Sequence, residues 1–125
     1  MRKSILKEKS YKFAIRSVDL NRYLRDQKHE FVLSKQVLRC GTAVGALIRE
    51  AEFGQSRADF RSKMYIALKE ANETEYWLNL LKDTNYINKT QFESLSDDCK
   101  ELIRMLVATV KTTAKPGKPA SKADF

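Results

Sequence analysis

Residues 60–81, FRSKMYIALKEANETEYWLNLL, decide the fold. Phe60, Met64, Ala67, Ala71, Thr74, Leu78 and Leu81 recur at alternating steps of four and three residues, which keeps one stripe of a helix apolar or small over three heptads. A seam of that length suits helices packed about 20° from antiparallel, as in a four-helix bundle. The same stretch carries a second apolar set. Ile66, Trp77 and Leu80 fall nearly opposite the stripe, with Tyr65 and Tyr76 further round. A large second apolar surface on a soluble helix marks an interface.

The flanks punctuate this helix. Ser56 offers a hydroxyl cap and Asp59 an acidic first turn, Gly54 reads as a left-handed stop to the preceding helix, and Asn85 ends the long one. Downstream, Asn88 and Gln91 form a capping-box variant flanked by Ile87 and Phe92, opening a helix that carries Leu95, Cys99, Leu102, Ile103, Leu106 and Val110. Upstream, Ser34 reads as the cap of a helix lined by Val37, Gly41, Val44, Ile48 and Ala51, with Cys40 and Leu47 beside them. Glycine inside a helix costs about 0.5–1 kcal/mol against alanine. Gly41 and Gly45 therefore imply close helix contact or a flush seam between subunits.

The first helix is expected over residues 11–27, with Tyr11, Ala14, Ile15 and Val18 as its core stripe. Phe13, Leu20 and Leu24 then form a surplus apolar face, with Ser10, Ser17 and Asn21 between the two. Short connections between long amphipathic helices favour antiparallel neighbours. The expected fold is all-α, an up-down-up-down four-helix bundle over residues 1–112. Residues 113–125 hold both prolines and almost nothing to bury, which reads as a disordered basic tail. The surplus faces predict a homo-oligomer, with Phe13, Ile66, Tyr76 and Trp77 at its interface, the alternative being that the N-terminal arm and Phe31 to Leu33 fold back to cover them.

At 125 residues the chain allows one compact domain, and four glycines and two prolines argue against a loop-rich or all-β design. The net charge of +8 is unevenly placed: residues 1–30 hold nine cations against four carboxylates, a net +5, and the tail adds +2. Such asymmetry attracts polyanions, or serves solubility alone. Lys9, Lys12 and Arg16 follow one another at i, i+3, i+7 on the first helix, and Lys35 and Arg39 add cations on the second. These five are the candidate nucleic-acid contacts. No signature of a sequence-specific nucleic-acid reader is present.

Lys7, Glu8, Lys9 and Lys12 interrupt any signal-peptide core, and the apolar run at 105–110 falls far short of the ~20 residues that span a bilayer. A cytoplasmic protein without membrane partners is expected. Cys40 and Cys99 lie on apolar stripes without metal-ligand spacing, which reads as buried reduced thiols. Glu50, Glu52, Glu70 and Glu73 lie on adjacent helices, but the Glu-x-x-His of a carboxylate-bridged metal site is absent, and His29 is the only histidine. Gly41 to Gly45 has no preceding strand and no phosphate-binding lysine. No catalytic residue, metal or cofactor is expected, and Glu70 and Glu73 read as ion-pair partners.

The blocks SYKFA at 10–14, SKQVLR at 34–39, GTAVG at 41–45, REA at 49–51, IALKEA at 66–71 and ETEYWL at 73–78 together resemble the bacterial four helix bundle protein family. It is also called the ribosomal-protein-like or intervening-sequence-protein family, since members are encoded in sequences inserted in large-subunit ribosomal RNA genes. The resemblance covers nearly the whole chain before the tail. It implies an antiparallel bundle assembling as a homopentamer, with no enzymatic activity. It further implies similarity to the accessory proteins of diversity-generating retroelements, basic pentamers that bind nucleic acid and a reverse transcriptase. Leu47 stands where family members commonly carry an asparagine.

Overall fold

The computed structural model describes residues 4–114, which form four helices: α1 (Ile5–Lys28), α2 (Leu33–Glu52), α3 (Arg57–Asp83) and α4 (Lys89–Ala114). Each packs along its neighbour in sequence, α1 on α2, α2 on α3 and α3 on α4, while α1 and α4 touch more sparingly. The architecture is all-α, with the helices running alternately up and down. The tail expected to be disordered lies outside the described residues from 115 onward. Thr113, assigned to it from the sequence, is instead buried in the last turn of α4.

The stripe on α3 packs as the heptad pattern implies. Met64, Ala67, Ala71, Thr74, Leu78 and Leu81 are buried, against Leu95, Cys99, Leu102, Leu106 and Val110 from α4 and Val37, Val44, Ile48 and Ala51 from α2. Two caps also match their sequence signals. The Ser56 hydroxyl accepts from the Asp59 amide at 3.0 Å. The Asn88 and Gln91 side chains each accept the other's backbone N–H at 2.8 Å. Asn85 takes the left-handed conformation, φ 68°, that closes α3.

Helix α1 overturns its sequence reading in extent and in face. It begins at Ile5, capped by the Ser4 hydroxyl on the Lys7 amide at 3.1 Å. Its buried residues are Leu6, Ser10, Phe13, Ser17, Leu20, Asn21 and Leu24. Phe13 is 2% exposed in the core of its own chain, whereas Tyr11, assigned to the core, is 65% exposed. Phe13 is therefore not available as an oligomer contact. The inversion has a steric cause: α1 meets α2 through small polar residues. An added Cβ on Gly41 would lie 2.1 Å from Ser17 Oγ and 2.8 Å from Ser17 Cβ, and one on Gly45 would lie 3.2 Å from the Ser10 carbonyl oxygen. The backbones are that close, and a wheel drawn through apolar residues alone misses the contact.

Two further punctuation marks differ. Ser34 does not cap α2; its backbone N–H is itself capped, because the Glu30 carboxylate accepts from Val32, Leu33 and Ser34 at 3.2, 3.0 and 2.7 Å. Gly54 is not left-handed. A side chain there would crowd Asp59 Oδ2 at 3.1 Å and the Ala51 carbonyl at 3.2 Å, so close approach selects the glycine.

Candidate nucleic-acid interface

The five candidate cations divide into two groups. Lys9 and Arg16 sit on the α1 edge that faces α4, where Lys9 Nζ meets Glu101 Oε2 at 2.8 Å and Arg16 Nη1 meets Asp98 Oδ2 at 2.8 Å. Arg16 also donates to the Ser94 carbonyl at 3.1 Å and hydroxyl at 2.9 Å. This polar seam spans the sparse α1–α4 contact. Arg39 on α2 pairs with Glu70 at 3.3 Å and with Glu73 on α3, and Glu73 also accepts from Trp77 Nε1 at 2.9 Å. Burial alone would lower the Arg39 pKa, but Glu73 and Glu70 outweigh it and raise it. Lys12 and Lys35 are exposed and make no ion pair among the described residues.

The structure thus does not bring the five together as one strip. It does collect a second group of cations. Arg22, Arg25 and Lys28 are exposed along the last turns of α1, with Lys35 in the first turn of α2, and none of the four pairs with a carboxylate among the described residues. Their only exposed acidic companion in residues 22–35 is Asp26, since Glu30 is buried against the α2 amides. The run of cations at 22, 25 and 28 is the available signal: Arg22 and Arg25 lie on the helix expected over residues 11–27 and Lys28 just past its end.

Of the interface candidates, Tyr76 is 59% and Ile66 40% exposed. Trp77 is half-buried, its ring edge-on to Tyr76 at 5.0 Å. On α1 the exposed apolar side chains are Ile5, Tyr11 and Ile15. The helices α1 and α3 have no Cα pair within 8 Å and are not neighbours in the bundle, so these are two separate apolar surfaces.

The thiols and carboxylates offer little chemistry. Burial pushes the Cys40 thiol up and the Cys99 thiol up to about 12, so both are protonated near neutral pH. A disulfide between them needs Cα atoms about 4.4–6.8 Å apart. Helices α2 and α4 have no Cα pair within 8 Å. Among the described residues no three His, Cys, Asp or Glu side chains converge as metal ligands. The concavity at the α2–α3 corner, lined by Arg49, Glu50, Phe53, Asp59 and Lys63, is wide open, and Lys63 pairs with Glu50 across it at 3.1 Å. No helix among the described residues is long and apolar enough to cross a membrane.

These contacts place the chain among small four-helix proteins whose neighbouring helices are cross-linked by surface ion pairs. The model of the 23S rRNA-intervening sequence protein matches residues 2–108, and the chain belongs to that family. It is also similar to a solved protein of unknown function from the S23 ribosomal protein family of Bacteroides thetaiotaomicron. That match has 54% identity and a TM-score of 0.85, and covers 86% of this chain and 96% of the other. No curated protein matches the chain.

Proposed function

We propose that this protein is a non-enzymatic, cytoplasmic, oligomeric bundle that binds RNA or another nucleic acid through its unpaired surface cations. The observation that carries the reading is the exposure of Lys12 and Lys35 without carboxylate partners, on a chain of net charge +8. Lys9, Arg16 and Arg39 join them by exchanging a carboxylate for a phosphate. That exchange is cheap, since exposed ion pairs contribute only about 0–1 kcal/mol. Separate apolar surfaces on α1 and α3 support a head-to-tail contact between copies, the kind that closes into rings such as the pentamer the family resemblance implies. A ring repeats each weak phosphate contact and raises avidity.

The competing reading is a protein-interaction scaffold, including an accessory subunit of a reverse transcriptase. It is favoured by the ion pairs that already occupy three of the five candidate cations. An RNA titration across salt separates the two. Phosphate contacts make affinity fall steeply with salt, and Lys12→Glu with Lys35→Glu weakens binding and flattens the slope by about one per lost contact. No binding at low salt, or binding indifferent to both reversals, leaves the scaffold reading.

A further inference from the structure

Residues 29–34 form a short turn fastened at both ends. His29 adopts a left-handed conformation, φ 52°, the Glu30 amide donates back to the Leu24 carbonyl at 2.9 Å, and the Glu30 carboxylate holds the first three amides around α2. On this braced turn Phe31 stands 53% exposed, with the Arg25 guanidinium 6.0 Å from its ring centroid. An aromatic ring presented to water on a fixed backbone, beside a cation, is a ready stacking platform.

The cations around it lie on one side. Asn21 Nδ2 donates to the Ser34 carbonyl at 3.0 Å, which sets residue 21 of α1 against residue 34 of α2. Because the two helices are antiparallel, the next residue on each, Arg22 and Lys35, turns about 100° to the same side of the pair. Arg25, one turn beyond Arg22, leads from there to Phe31. Arg22 lies six residues, about 9 Å of helix, behind Lys28. The charge thus runs back along the α1–α2 pair and does not ring the tip.

We infer that the α1–α2 turn is a binding site for single-stranded nucleic acid, in which a base stacks on Phe31 and the adjoining phosphates follow Arg25, Arg22 and Lys35. This rests on the nucleic-acid reading above and specifies its place and ligand class. A duplex keeps its bases stacked inside and offers Phe31 none. A flat anionic bilayer would meet Phe31, Val32 and Lys28 at the tip without drawing on Arg22 and Lys35 further back along the α1–α2 pair, and the vesicle arm below separates the two.

The test is fluorescence anisotropy on the full chain with a labelled oligouridylate of roughly a dozen nucleotides, a duplex of equal length, and phosphatidylserine vesicles as a third arm. Phe31→Ala is expected to weaken single-strand binding by about 5- to 100-fold while barely moving duplex binding, and Phe31→Trp to restore it. Arg22→Glu with Arg25→Glu abolishes binding at moderate salt. Circular dichroism of each variant checks that the bundle persists. If the oligouridylate binds but ignores both the Phe31 and the Arg22/Arg25 changes, the site is wrong while the broader reading stands. If neither nucleic acid binds at low salt, both fall. Capture by the vesicles without oligouridylate binding makes the turn a lipid contact and overturns the proposal.

Discussion

Gly41 and Ser17 show how one missing atom governs the position of a helix. With Ser17 Oγ 2.1 Å from where a Cβ would stand, Gly41→Ala must force Ser17 off its hydrogen bond to the Phe13 carbonyl and also push α1 away from α2. Overpacking of this kind costs about 1–3 kcal/mol. Ser17→Ala does not relieve it, because Ser17 Cβ is itself only 2.8 Å away. In a Ser17→Gly background the cost of Gly41→Ala should shrink, a coupling that a double-mutant cycle in urea measures. Equal costs in both backgrounds would mean that the two residues do not meet. Gly41 was legible in sequence as a close contact, but its partner was not, since nothing in residues 41–45 points to position 17.

At the scale of elements, caps whose partners lie three residues apart were readable, as at Ser56 and at Asn88 with Gln91. The cap of α2 was not, because a glutamate before the helix does the work usually sought from serine or asparagine at its first position. Removing the Glu30 carboxylate exposes three backbone donors at once. Glu30→Ala should lower stability by about 1–3 kcal/mol and Glu30→Gln, which keeps an acceptor, by less. Hydrogen exchange at Val32, Leu33 and Ser34 should accelerate in the alanine variant. Unchanged protection there would show that the carboxylate is dispensable. The inverted face of α1 belongs to the same scale. Its seam is built from Ser10, Ser17 and Asn21 as much as from Phe13, Leu20 and Leu24, so hydrophobicity was the wrong guide to what is inside.

For the whole molecule, the apolar surfaces of α1 and α3 carry the prediction of self-association. Light scattering at micromolar concentration should give a multiple of the 14.5 kDa chain mass. Ile66→Glu with Tyr76→Glu should reduce it to the monomer without loss of helix content, both side chains being exposed in the single chain. A monomeric parent protein would refute the assembly. The charge also looks different at this scale. Arg2, Lys3 and the residues after 114 account for half of the net +8, and Lys7, Lys9, Arg16, Arg39 and Lys63 are paired within the bundle. Arg22, Arg25, Lys28 and Lys35 near the α1–α2 turn keep no carboxylate partner among the described residues, and neither do exposed cations elsewhere such as Arg49, Lys69, Lys89, Lys100, Arg104 and Lys111.

The sequence by itself determined four helices, most of their ends and the core stripes of α2, α3 and α4, because periodicity and capping are local and act within one or two turns. Only the tertiary structure decided which face of α1 is inside, which cations are neutralised by a neighbouring helix, and that Phe31 stands beside Arg25. Those outcomes depend on pairs tens of residues apart, such as Lys9 with Glu101, and on how closely two backbones approach. Neither is encoded in the spacing of residues along any single helix.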